Sequence, residues 1–385
     1  MECDYNFDEI RPYTDAEMAE GMKRATSSPE LRAVIAYLFP DKKVEDYINY
    51  LLSLKTIHEF QDKVIASFLL DLVSKTGNGM DIEGLDNLKD GRKYLFISNH
   101  RDIILDAALL NTLMIKSGFE TAENAIGDNL CAKPWITEMM KLNKNFIVQR
   151  SGTKREIFEA SKRLSAYIRR NIVEGRNSVW IAQREGRAKD SNDRTQESLL
   201  KMFSMSAGKD LKQSFIELNI TPVSISYEYD ACDFLKAKEF QVKRDDPEFK
   251  KTGADDVNSM KTGMVGYKGH IHYKVNEPIN DILERELSDT DDRATIIEKL
   301  AAIIDRQIHA NYKIYPGNYV ALDELSGSQE NQGRGYSEEE KATFDKYVAG
   351  QLAKIDLPNK DEAFLRERML TMYANPLKNY LEAVK

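Results

Sequence analysis

The hydrophobic pattern changes character twice along the chain. Up to about Thr76 the apolar positions recur at helical spacing: Met18 and Met22, then Leu31, Val34, Ile35 and Leu38, then Val44, Tyr47, Ile48, Leu51 and Leu52, then Phe60, Val64, Phe68, Leu69 and Leu72. Residues three and four apart share one face of a helix, so each group predicts an amphipathic helix and the set predicts a bundle with its Tyr and Phe positions in the core. Thr14 with Glu17 three residues on reads as a capping box; Ser28 before Pro29 opens the next helix, and Pro40 ends it.

From Gly79 the pattern becomes short apolar runs separated by helical stretches. Runs at 94–97, 122–126, 145–148, 178–182, 220–225 and 270–275 predict strands, and 105–116 and 154–174 predict helices. That alternation predicts an α/β domain, a mixed and largely parallel sheet flanked by helices. Residues 245–247 and 252–256 read as surface loop, and SGSQENQGRG at 326–335 reads as a linker, after which Ser337 and Glu340 cap a helical tail. The expected organisation is a helical bundle at 1–78, an α/β domain at 79–325, and a linker with helical tail at 326–385.

Composition narrows the function classes. With 385 residues, 42% of them apolar, the chain supports two or three domains with sizeable cores and is neither disordered nor fibrous. Its 55 Lys and Arg against 63 Asp and Glu give a net charge of −8, which excludes a surface built overall for nucleic acid. The richest apolar stretches, 64–73 and 103–115, are each interrupted by Asp and fall short of the roughly 18 residues a spanning helix needs, though surface association stays open. Glu2, Asp4, Asp8 and Glu9 are unlike a secretory signal, so the chain reads as cytoplasmic, with peripheral contact at the inner membrane face open. Cys3, Cys131 and Cys232 are far apart and odd in number; they read as reduced, inert thiols. His270 and His272 alternate on one strand with no acidic or Cys residue at ligand spacing in sequence, so no metal is expected. Trp135 and Trp180 read as core, Trp135 alternatively as interfacial because Pro134 precedes it.

The charge is unevenly spread. Twelve Lys or Arg and four Glu between Lys141 and Arg187 give +8 in 47 residues, leaving −16 on the other 338. Lys154/Arg155, Lys162/Arg163 and Arg169/Arg170 fit a solvated helix face, but Arg150 and Arg187 each close or follow a predicted strand, where a guanidinium can hold a phosphate through two parallel bonds. His100 ends another strand, with Asp102 and Asp106 close behind. An imidazole can take a proton from an alcohol, and a carboxylate on its other nitrogen stabilises the imidazolium. Without a Ser or Cys nucleophile, such a pair suits direct attack by the substrate's own hydroxyl.

At these residues the sequence resembles the glycerolipid acyltransferase family, closest to the bacterial and plastid glycerol-3-phosphate acyltransferases. Five blocks carry the likeness in order: SNHRDIILD at 98–106, AIGDNL at 125–130 with NFIVQR at 145–150, WIAQREGR at 180–187, TPVSISYEYD at 221–230 and MVGYKGHIHYKVNEPI at 264–279. The resemblance implies that fold and an O-acyltransferase of phospholipid synthesis. It assigns His100 as general base oriented by Asp106, phosphate binding to Arg150, Glu185, Gly186 and Arg187, and an acyl-donor side at Pro222 and Val223. Asp106 falls one place later than the family's Asp, so Asp102 stands as the alternative orienter. The third block lacks the residue between Gly186 and Arg187, so Lys189 is expected to share the phosphate. No cofactor is implied; acyl-carrier protein or acyl-coenzyme A is the co-substrate. The acceptor is expected to be glycerol 3-phosphate, with a lysophospholipid such as lysophosphatidate or a phosphate-free lyso-aminolipid as alternatives. A lipid-binding scaffold that has lost catalysis is the alternative from another class.

Overall fold

The computed structural model describes residues 5–385, so Cys3, like Glu2 and Asp4, lies outside them. Helices Met18–Thr26, Pro29–Leu38 and Val44–Ser53 precede a continuous helical stretch from Ile57 to Thr76, which widens into one π segment at Gln61–Ala66. Met18, Met22, Leu31, Ile35, Ile48, Leu51 and Phe60 form their common core. The same core takes in Leu142 and, at its margin, Trp135 from helix Pro134–Leu142, so the bundle grips the sheet domain. Arg24 and Tyr13 both reach Glu138 on that helix, at 3.0 and 2.8 Å.

Seven strands build the sheet: β1 Met80–Glu83, β2 Leu95–Ser98, β3 Glu123–Gly127, β4 Asn145–Val148, β5 Val179–Ala182, β6 Ile220–Tyr227 and β7 Ile271–Val275. Their order is β1-β7-β6-β2-β5-β3-β4, and every pairing is parallel except β6 with β7. The six predicted strands lie within a residue or two of their predicted bounds. β1 carries no continuous apolar run; it is half-buried at the edge and among the described residues pairs only with β7, and its sequence MDIE alternates apolar and polar over only the shortest span that signals a strand.

Alternation along the strands feeds two cores. Leu95, Ile97, Val179, Ile181 and Ile220 face helices Lys154–Val173 and Arg293–Ala310. Phe96, Trp180, Val223, Ile225 and Tyr273 face helix Leu105–Lys116 and the end of the bundle. β2 lies at the middle with all four residues buried, so the chain leaving its C-terminal end emerges where loops from β3, β4, β5 and β6 also converge.

Two local readings need correction. Residues 252–256 are the start of helix Gly253–Val265: Thr252 and Asp255 form a capping box, with the Thr252 amide and hydroxyl 2.8 and 2.7 Å from the Asp255 carboxylate. The polar composition that suggested a loop is the cap itself. Asp245 is the last residue of helix Asp233–Asp245. The segment 326–335 is a turn pinned to Asp323, which accepts from the Asn331 amide at 3.0 Å and the Tyr336 hydroxyl at 3.0 Å.

The tail forms two helices, Glu338–Ala353 and Glu362–Ala383, docked beside the end of β6. Asp233 there accepts from the Tyr347 and Tyr373 hydroxyls and the Gln351 amide at 2.9, 2.8 and 2.7 Å. Burial, with Asp230 nearby, pushes the Asp233 carboxyl up to about 7. No described helix is long and apolar enough to cross a membrane.

Candidate functional site

β2 ends at Ser98, and the next residue replaces a step of the backbone ladder. The Asn99 side chain donates to the Ile225 carbonyl at 2.9 Å and accepts the Ile225 amide at 2.8 Å, fixing the chain beside β6 as it turns. His100 follows, its ring edge-on to Trp180 at 6.3 Å. The Trp180 indole is itself held to Ser98 Oγ at 3.1 Å.

Helix Leu105–Lys116 then starts with Asp106 in its first turn, where a carboxylate is favoured by the helix dipole. Asp106 Oδ2 lies 2.7 Å from His100 Nδ1 and also accepts the amides of Arg101 and Asp102 at 2.6 and 3.0 Å. The carboxylate is 1% exposed and His100 14% exposed, so the pair sits in a shielded but reachable recess. The Tyr273 hydroxyl donates to the Asp106 carbonyl at 2.9 Å, tying the helix start to β7.

Asp102 has a different task. Its Oδ1 accepts the amides of Ile104 and Leu105 at 2.9 and 2.8 Å, capping the helix. Burial first and the Asp106 carboxylate second push its carboxyl above the usual range, against the pull of those amides and Arg187. Of the two candidate orienters, Asp106 touches the ring. With Nδ1 donating to a carboxylate, Nε2 carries the lone pair, and no described residue bonds it.

The basic residues divide. Arg150, at the exit of β4, lies over Gly127, where a Cβ would stand 2.6 Å from the Arg150 Nε; glycine makes room for the guanidinium. Its Nη1 is 3.8 Å from Glu185 Oε1, both side chains being exposed. Gly186 adopts φ +67°, the left-handed turn that glycine takes without penalty. Arg187 lies on the Asp102 side of this loop with Nη1 buried and without a hydrogen-bond partner among the described residues, an available donor. Lys189 is instead paired with Glu239, which also holds Lys243 at 2.9 Å. Pro222 and Val223 are buried within β6, opposite Ile97 and Ser98 of β2, and Val223 belongs to the core beneath helix Leu105–Lys116.

Part of the basic run is neutralised locally. Lys162, Arg163, Arg169 and Arg170 pair with Glu159, Glu9, Glu217 and Glu174. Lys154 and Arg155, at the start of helix Lys154–Val173, have no ion pair among the described residues. Cys131 is half-buried and Cys232 buried; burial, then Asp230, pushes the Cys232 thiol up to about 11, leaving it protonated and unreactive.

Sequence reasoning missed three groups beside the site. Arg101 is buried and paired with Asp193 at 2.8 Å, locking the turn of His100 to the loop after β5. Gln183, fully buried directly after β5, keeps both amide atoms unpartnered among the described residues. Tyr273 is the third. Arg101 abuts the His100 motif, and only the fold brings Asp193 and Tyr273 to it.

Residues 79–227 match the family model described as Acyltransferase, a span holding the His100 turn, Arg150, the Glu185 loop and β6. No curated protein matches the chain. Among solved structures, the 1-acyl-sn-glycerophosphate (LPA) acyltransferase PlsC from Thermotoga maritima is similar at 11% identity and a TM-score of 0.38, over 78% of this chain and 98% of that one.

Proposed function

We propose that this acyltransferase moves a fatty acyl group from an acyl-carrier-protein or acyl-coenzyme A thioester to the sn-1 hydroxyl of glycerol 3-phosphate. One observation carries the reading: the 2.7 Å contact between His100 Nδ1 and an Asp106 carboxylate that two backbone amides hold in place. Nε2 takes the hydroxyl proton as the oxygen attacks the thioester carbonyl. The tetrahedral intermediate then collapses to the ester and expels the thiol, which recovers the proton from the imidazolium. Orientation of two bound substrates supplies much of the rate, with the phosphate as handle for Arg187 and Arg150.

Acyl transfer measured with glycerol 3-phosphate, lysophosphatidate and a phosphate-free lyso-lipid tests the acceptor. Turnover of glycerol 3-phosphate is expected, and its absence overturns the substrate. Arg187→Ala is expected to raise KM for the phosphorylated acceptor at least about tenfold, the loss of a charge-assisted contact, while a phosphate-free acceptor is unaffected. A lysophospholipid or lyso-aminolipid remains the second reading. The pairing of Lys189 with Glu239, which removes one expected cation from the phosphate, favours only the phosphate-free lyso-aminolipid of the two, since a lysophospholipid keeps a phosphate.

The donor is expected to arrive by steering. Lys154 and Arg155, which have no ion pair among the described residues, with Arg150 loosely paired to Glu185 beside them, form the basic edge that an acidic carrier protein or anionic headgroups would meet. Initial rates with carrier-linked donor should fall steeply between low and physiological salt, and a flat profile would count against this docking.

A further inference from the structure

The edge strand that the sequence conceals changes the surroundings of two histidines. β1 runs beside β7 with Asp81 opposite His272 and Glu83 opposite Lys274. Opposed residues and their second neighbours share a face of the ladder, so Asp81, Glu83, His272 and Lys274 project together, with His270 two residues before His272. Asp81 Oδ1 lies 2.8 Å from His272 Nδ1 and 3.5 Å from His270 Nε2. One ligand atom each from Asp81, Glu83 and His272 falls within 4.8 Å of the others.

We infer that this face of β1 and β7 is a divalent metal site of the zinc class, with Asp81, Glu83 and His272 as ligands and His270 as the fourth. Imidazole nitrogen with carboxylate oxygen is a donor set suited to zinc and its first-row neighbours, at about 2.0–2.2 Å per bond. Tetrahedral ligand atoms at that bond length sit roughly 3.5 Å apart, the spacing His270 Nε2 already has to Asp81. Glu83 is exposed and can close the remaining distance by releasing Lys274, 3.1 Å away. His272 is 7% exposed, which fixes its ring, whereas the carboxylates open to solvent and give the ion a way in. His270 has the outer support expected of a ligand: its Nδ1 meets the Tyr315 hydroxyl at 3.0 Å, leaving Nε2 toward the site.

The site is separate from the His100 turn. β6 stands between β7 and β2, so the ion would cross-link the sheet edge. Its effect is on stability: an ion bound only by the folded state raises the melting temperature with concentration.

Titration of the chelator-treated full chain with Co(II), read by visible absorption, and with Zn(II), read by calorimetry and thermal melting, tests the assignment. One ion per chain is expected, with the intense absorption of four-coordinate cobalt and a rise in melting temperature. Asp81→Asn and Glu83→Gln should each weaken binding at least about tenfold. His100→Ala should leave it unchanged, because the competing His-Asp pair is elsewhere. Glu83 and His270 are exposed enough for Glu83→Gln and His270→Ala to fold even where a change at buried His272 does not. Failure to bind below about 100 µM, or binding indifferent to Asp81→Asn and Glu83→Gln, overturns the site.

Discussion

His100→Ala is expected to lower kcat by about a thousandfold while the protein melts at nearly its original temperature. A positioned base contributes roughly 10²–10⁴ in rate, so a thousandfold loss corresponds to about 4 kcal/mol of barrier. The fold should tolerate the change because the ring's one hydrogen bond among the described residues is to Asp106, whose oxygen keeps the Arg101 and Asp102 amides. Residual activity is expected, since substrate binding and orientation survive. KM for the acceptor should move little, because Arg187 and Arg150 are untouched. The measurement is steady-state transfer with labelled thioester, beside a melting curve of the same sample. Equal rates for wild type and variant would remove His100 from the mechanism. An inactive wild type that still binds lipid would favour the scaffold reading instead.

The parts of the fold that can be read from sequence are those in which one pattern dominates. The strand at Asn145–Val148 and the helix at Leu105–Lys116 have their predicted bounds because apolar runs and helical period are local signals. β1 is hidden because an edge strand needs only one partner and one half-buried face. With only a four-residue alternation to mark the strand, nothing in the sequence places Asp81 beside His272, so those histidines read as bare. The helix at Gly253–Val265 escapes for another reason: Thr, Gly and Asp serve both turns and caps, and only the downstream residues decide between them.

The site divides along the same line. His100, Asp102 and Asp106 lie within seven residues, so their proximity is legible; the division of labour between the two aspartates is not. It depends on which oxygen faces which amide as the chain turns into a helix. Arg101 with Asp193, and Tyr273 behind Asp106, are contacts across the fold, and no spacing encodes them. Lys189 shows the converse. It stands close in sequence to the loop proposed to hold the phosphate, yet Glu239 on helix Asp233–Asp245 takes it.

That division sets the sharpest contrast among variants. Asp106→Asn is expected to cost about a hundred- to a thousandfold in kcat, and Asp102→Asn no more than a few fold. In Asp106 a single oxygen, Oδ2, accepts His100 and two amides, while Oδ1 is buried without a partner among the described residues. An asparagine at 106 must keep its oxygen at the Oδ2 position, since an NH2 there would face two amide donors. His100 then keeps its tautomer but loses the negative charge that stabilises the imidazolium in the transition state. The new NH2 falls in the buried Oδ1 position with nothing to donate to, so stability should drop by about 1–3 kcal/mol as well. At 102 the same change is mild. The asparagine oxygen still caps Ile104 and Leu105, and the charge removed is one that burial and Asp106 already disfavour. Asp102→Ala, which deletes both amide bonds, should cost about 1 kcal/mol of stability with little change in rate. Parallel kinetics and melting of the three variants decide the matter: if Asp102→Asn slows transfer as much as Asp106→Asn, Asp102 is the orienter and the contact at 2.7 Å is structural.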